Sequence, residues 1–141
     1  AIWRGPMLSS AINQIYEKTN WGDLDYLLID MPPGTGDAYL TVCQKIVPDF
    51  VILVSTISKL SITDLKRTID VFESLSTKIL GIVLNNIHQS DGFQDFNLET
   101  ENIILDRIEF NKKFIDSSYP FDDLKLDSLF LNTVREIKEH D

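Results

Sequence analysis

Asp30 opens the string Asp-Met-Pro-Pro-Gly-Thr-Gly-Asp, which ends on a second acid, Asp37. A carboxylate just past the carboxyl end of a buried strand can hold a metal ion through its water shell. Prolines such as Pro32 and Pro33 stiffen the turn, and glycines such as Gly34 and Gly36 let backbone N–H groups close on an anion. The same residue types also make an ordinary strand-to-loop junction, with Pro and Gly stopping the strand and the acid solvated. A second candidate is Asn85, which follows the apolar run Ile79 to Leu84. Its amide offers both donor and acceptor, which suits the edge of a purine. An Asn after a strand is equally a turn former that tolerates left-handed backbone, and spacing does not choose between the two. Ser55 and Thr56 bring hydroxyls to the end of another apolar run, to line the same crevice or to start a helix. Cys43 is the single cysteine, which excludes an intrachain disulfide framework and reads as a small buried hydrophobe. His88 and His140 have no second ligand at metal spacing and read as surface or loop histidines.

These groups need elements to place them. Tyr26 to Ile29 is a short continuous apolar run ending on Asp30, the composition expected of a parallel strand buried on both faces. Ligands in open α/β sheets bind outside the carboxyl ends of such strands. Upstream, Met7, Leu8, Ala11, Ile12, Ile15 and Tyr16 recur at helical spacing. A short helix is expected through Tyr39 to Lys45, and a second strand over Phe50 to Val54. Ser61, with Asp64 three residues on, resembles a capping box for a helix whose inward face carries Ile62, Leu65, Ile69 and Phe72. Ile79 to Leu84 and Ile103 to Leu105 read as two more strands. A last helix is expected, capped by Asp127 or Ser128, with Phe130, Val134 and Ile137 inward. Strands alternating with helices predict βαβ units and a parallel sheet.

Composition narrows the function classes. The 141 residues make one domain at most, enough to bury roughly two-thirds of the unfolded surface. With 13 basic and 22 acidic side chains the net charge is −9. That field repels phosphate backbones and argues against nucleic-acid partners. Lys66-Arg67 and Lys112-Lys113 are the dense basic groups, read as solvated faces. No apolar run approaches the roughly 18 residues of a membrane span, and no signal-peptide pattern opens the chain, so the expectation is a cytoplasmic chain without a membrane partner.

Several segments in the right order resemble the Mrp family of ParA/MinD-like P-loop ATPases, the iron–sulfur cluster carrier and assembly group. Besides Asp30 to Asp37, Ile2 to Met7 is similar to the family's segment ahead of the helix preceding the Walker B strand. Trp21 to Tyr26 is similar to its lead into that strand, Gly81 to Asn86 to the strand whose Asn contacts the base, and Leu105-Asp106 through Tyr119-Pro120 to its closing segment. The resemblance implies a partial doubly wound parallel sheet of the P-loop NTPase type with flanking helices. Residues 1–141 are then one α/β domain, N-terminally incomplete, matching the C-terminal half to two-thirds of such a protein.

The resemblance also implies that the intact protein uses ATP and Mg²⁺, hydrolyses ATP and serves iron–sulfur client proteins as a homo-oligomer, the family habit being dimeric. In that scheme Asp30 is the catalytic and metal residue that orients the Mg²⁺-bound water. Gly34 presents its N–H toward the γ-phosphate, and Asn85 reads adenine. Two family features are absent from this sequence. There is no Gly-x-x-x-x-Gly-Lys-Ser/Thr loop to cradle phosphates, so the chain by itself is expected to be inactive as an ATPase. There is also no Cys-x-x-Cys pair after the Asn85 strand, so an iron–sulfur cluster is not expected on it. The alternative is a non-catalytic remnant that acts as a protein-association module.

Overall fold

A computed structural model describes residues 5–31, 36–87, 93, 96–114 and 128–140. Three apolar runs form one parallel sheet, β1 (Val51–Ser55), β2 (Ile79–Asn85) and β3 (Ile104–Ile108), in the order β1-β2-β3. Ile82, Val83 and Leu84 of the central strand are at most 1% exposed, as a parallel strand covered on both faces must be. Alternation sends Ile82 and Leu84 to one face, where they pack with Leu53, Cys43 and the Leu65, Ile69 and Phe72 side chains. Val83 points the other way, onto Leu105 and Ile108. At Gly81 a Cβ would lie 2.8 Å from the Ile103 carbonyl oxygen and 2.6 Å from Leu105 Cγ, so glycine is what lets β2 approach β3 this closely.

The crossover between β1 and β2 is α3 (Lys59–Ser74). Its inward residues are those expected: Leu65, Ile69 and Phe72 are buried, and Ile62 packs against them. Its cap differs from expectation. Ser58, in extended backbone, accepts the Ser61 N–H at 3.1 Å. Ser61 is therefore the third helical residue rather than the start, and Ser58 satisfies one of the orphan amides of the first turn.

Ahead of the sheet lie α1 (Gly5–Lys18) and α2 (Asp37–Thr41), the latter continuing into a π-helical turn, Val42–Ile46. The helices expected around Met7 to Tyr16 and Tyr39 to Lys45 are both present. α1 packs on α2, where the Thr41 hydroxyl donates to Ser9 Oγ at 2.6 Å, yet no residue of α1 is buried. Tyr39 carries α2 onto the core through a tilted ring contact with Phe72 at 5.4 Å.

Two more expectations are corrected. Residues 26–29 are not a strand: residues 20–31 are neither helix nor strand, and residues 21–30 are all exposed. A strand exists only as a partner in a ladder, and β1 pairs with β2 alone among the described residues. The other correction concerns the C-terminal helix, α4 (Leu131–Glu139). Thr133 is its buried residue, Ile137 is half-buried, and Phe130 and Val134, expected inward, are exposed. Asp127 lies outside the described residues. The cause is Asp106, on a strand that runs past the expected end at Leu105 to Ile108. Among the described residues no helix is long and apolar enough to cross a membrane.

Candidate functional site

Parallel strands bring the ends of β1, β2 and β3 to one edge of the sheet. Ser55 closes β1, Asn85 closes β2, and Asn85 sits in register with Ile108 of β3. Asn85 is half-buried strand backbone rather than a left-handed turn, so the turn-former reading does not describe it. Just past it, the buried Asn86 donates its N–H to the Ile108 carbonyl of β3 at 2.8 Å. Among the described residues the Asn85 amide has no side-chain hydrogen bond, and this leaves a donor and an acceptor at the strand ends. The hydroxyls of the β1–α3 junction are committed to structure. Ser55 donates to the Thr56 carbonyl, Thr56 to Ser61 Oγ at 2.7 Å, and Ser58 caps α3.

Asp30 lies at the end of the exposed 21–30 segment and is itself exposed. No hydrogen bond or ion pair joins it to Asn85 among the described residues. Gly34 lies outside the described residues, as does His88. Two open hollows, of about 510 Å³ against α4 and about 240 Å³ between α1 and α2, are lined by neither Asp30 nor Asn85. Asp37, at the start of α2, places its carboxylate against the Cα of Gly5, where any side chain would collide with it. Among the described residues the sheet-borne amide and the Asp30 carboxylate share neither a hydrogen bond nor a hollow.

A nucleotide with Mg²⁺ needs a carboxylate for the metal's waters, a base contact and a cradle for the phosphates. Asp30 and Asn85 fit the first two needs by chemistry. The third is met in P-loop proteins by a Gly-x-x-x-x-Gly-Lys-Ser/Thr loop, which is not in the sequence, and Gly34, the candidate phosphate donor, lies outside the described residues. The residues present therefore do not make a complete nucleotide site. Cys43 is buried in the main core cluster, where it packs as the small hydrophobe expected. Burial, with Cys43 nearby as a lesser cause, pushes the Tyr39 phenol above its ordinary value. His140 is a surface residue that accepts a hydrogen bond from Lys78 Nζ at 3.0 Å and faces Glu136 with its other ring nitrogen.

The sequence reading gave no role to Asp106 and Arg107. Buried Asp106 accepts hydrogen bonds from the Asn132 N–H at 3.3 Å, the Asn132 amide at 3.0 Å, the Thr133 N–H at 2.8 Å and the Thr133 hydroxyl at 2.6 Å. It is a cap supplied from another element, and a negative charge at a helix N-terminus is favourable. Arg107 donates to the Phe93 carbonyl at 3.2 Å and the Phe96 carbonyl at 2.8 Å, pinning the chain that returns from β2. The signal for both was an acid and a base inside the apolar stretch Ile103 to Ile108, which each need a partner to be tolerated there.

Comparison with known proteins agrees with this architecture. Residues 1–100 match the model of the ParA family described as the NUBPL iron-transfer P-loop NTPase. An iron–sulfur cluster carrier protein of Rickettsia conorii is 50% identical over 84 residues, 60% of this chain and 26% of that protein. The iron–sulfur cluster transfer protein NUBPL of Dictyostelium discoideum is 44% identical over 84 residues, with the same coverage of 60% and 26%. The match thus spans about a quarter of the length of these relatives. In three dimensions the cell division ATPase MinD of Pyrococcus furiosus superposes with a TM-score of 0.67 at 21% identity, covering 98% of this chain and 60% of MinD. That likeness shows the fold: a parallel P-loop NTPase sheet with flanking helices. With its family's model matched over residues 1–100, the chain belongs to the ParA family of NUBPL-type P-loop NTPases, the Mrp group.

Proposed function

We propose that the chain supplies the C-terminal part of an Mrp-like ATP-binding protein that works in iron–sulfur cluster assembly or transfer. The observation that carries this reading is the 50% identity over 84 residues to a protein named as an iron–sulfur cluster carrier. Residues 1–100, which the family model matches, include a candidate acid, Asp30, and a candidate base-reading amide, Asn85. Gly34 is the third candidate, as an N–H donor to phosphate. Turnover of ATP with Mg²⁺ belongs to the intact protein, because the phosphate-gripping loop is not among these residues. The cluster is cargo rather than a resident group, and its recipients are iron–sulfur client proteins. One buried cysteine supplies too few thiolates for a cluster, which usually takes several.

A second reading has its own observation. The outer edge of β1 is unpaired among the described residues, and Val54 on it is 67% exposed. Such an edge recruits another strand, which would make the chain an association module and a homo-oligomer. Depleting cells of the protein separates the two. A cluster-transfer role lowers the activities of iron–sulfur enzymes and spares other enzymes, with recovery on re-expression of the native sequence but not of Asp30→Ala. Iron–sulfur enzyme activities that stay unchanged on depletion contradict it.

A further inference from the structure

Helices that pack together normally do so on apolar stripes. α1 and α2 meet instead across a polar gap. On α2 and the π-helical turn that continues it, Asp37, Thr41, Gln44 and Lys45 fall at i, i+4, i+7 and i+8 and share one face. On α1, Ser9 and Asn13 sit one helical turn apart and face them. Between the two lies the open hollow of about 240 Å³, with Leu40 its one apolar side chain. Thr41 is engaged with Ser9 and with the Asp37 carbonyl. The side chains of Asn13, Asp37, Gln44 and Lys45 make no hydrogen bond or ion pair among the described residues. Surface groups elsewhere do find partners, as Asp64 does in Arg67, Lys78 in His140 and Asn132 in Arg135. An anion, a cation and two amides, all uncommitted, thus converge on a single gap. The backbone at its edge is strained as well, because the β-branched Val47 closes the π turn at φ 55°. π turns and such backbone cluster at functional sites.

We propose that this hollow binds a small zwitterion of the free α-amino acid class. The ligand's carboxylate accepts from the Lys45 ammonium and the Asn13 amide, and its ammonium donates to the Asp37 carboxylate. The Gln44 amide, both donor and acceptor, serves either end. Charge selects the class. A simple anion is opposed by Asp37 and a simple cation by Lys45, whereas a molecule carrying both charges satisfies both groups. Size sets the limit. A volume of about 240 Å³ is that of about eight waters at roughly 30 Å³ each, and it falls below the roughly 300–1,000 Å³ of sites for drug-sized ligands. A nucleotide is too large for it. The site is therefore distinct from the Asp30 and Asn85 groups, neither of which lines it, and it stands or falls independently of the ATP reading.

The test is proton–nitrogen correlation NMR of the full chain titrated with L-serine as the probe. Acetate and methylammonium, which each carry one of its two charges, are titrated beside it. The expected result is saturable shifts for L-serine, confined to the stretches around Ser9 to Asn13 and Asp37 to Val47. Each single-charge probe binds about tenfold more weakly, the worth of one charged hydrogen bond. Lys45→Met, which keeps the stem and removes the charge, weakens L-serine binding by about tenfold, as does Asn13→Ala. Lys45 is exposed and Asn13 half-buried, so both variants keep the native spectrum outside the hollow. Lys66→Met, at an exposed lysine of α3, leaves binding unchanged. L-Serine shifts that never saturate, that spread over the whole surface, that a single-charge probe reproduces at equal concentration, or that survive both substitutions would each overturn the proposal.

Discussion

The central strand and the segment before Asp30 have nearly the same apolar composition and opposite fates. In Ile79–Asn85, Ile82 and Leu84 are fully buried, with ladder partners on both flanks and core side chains over them. In Tyr26 to Ile29, Leu28 is 86% exposed and no ladder forms. The difference lies outside either stretch. β2 has β1 and β3 on its flanks and α3 over one face, whereas residues 26–29 have no strand beside them among those described. Apolar composition qualifies a run for burial, and neighbours decide whether burial occurs. The two candidate functional groups divide along the same line, Asn85 on the built region and Asp30 on the unbuilt one.

The largest expected effect comes from exchanging one leucine in each region. Leu84→Ala should destabilise the fold by about 2–5 kcal/mol through lost burial and a cavity. Leu28→Ala should stay within about 0.5 kcal/mol, as exposed positions do. Denaturant unfolding of both variants checks the contrast, and equal losses would erase it. Next is Asp106→Ala, which strips four hydrogen bonds from the start of α4. A loss of about 1–3 kcal/mol is expected from the buried donors left unsatisfied, with faster amide exchange in Leu131–Glu139 than in β2. Exchange unchanged in α4 would show that its packing, not the acid, holds it.

How much of this was legible in the sequence depends on where each residue's partner lies. Leu65, Ile69 and Phe72 were readable as an inward face because helical spacing is local information. Val51–Ser55 and Ile79–Asn85 were readable within a residue or two, because their flanking turns punctuate them. Tyr26 to Ile29 was misread since pairing is not written in the run itself. The rotation of α4 was misread because its apolar pattern at Phe130, Val134 and Ile137 competes with a buried acid 26 or 27 residues upstream of its partners. Of the site, Asn85 was placed correctly at a strand end, while Asp30 was placed on a strand that the described structure does not contain.

Smaller effects sharpen the picture of the built region. Ser58→Ala should cost about 1 kcal/mol, the usual worth of an N-cap, whereas Ser61→Ala, which keeps its backbone N–H on Ser58, should cost less. Thermal unfolding of the two variants would reassign the cap if the order were reversed. Smallest is a pH effect at Tyr39. Burial raises its pKa above 10.0 in the folded chain, so at alkaline pH the folded state holds the proton more tightly than the unfolded one. Stability from this source is full below pH 10 and is lost as pH rises from there through the folded pKa. Tyr39→Phe should remove that part of the alkaline loss, seen as a flatter stability curve above pH 10; an unaltered curve would assign the loss to other groups.

The central claim is that an amide on the sheet and an acid on an exposed, unpaired segment, without a phosphate cradle, do not add up to a nucleotide site. Calorimetric titration of the 141-residue chain with ATP and Mg²⁺ tests it most directly. The account predicts no hydrolysis and at best weak binding, with heats near those of dilution. A saturable isotherm with micromolar affinity would contradict it.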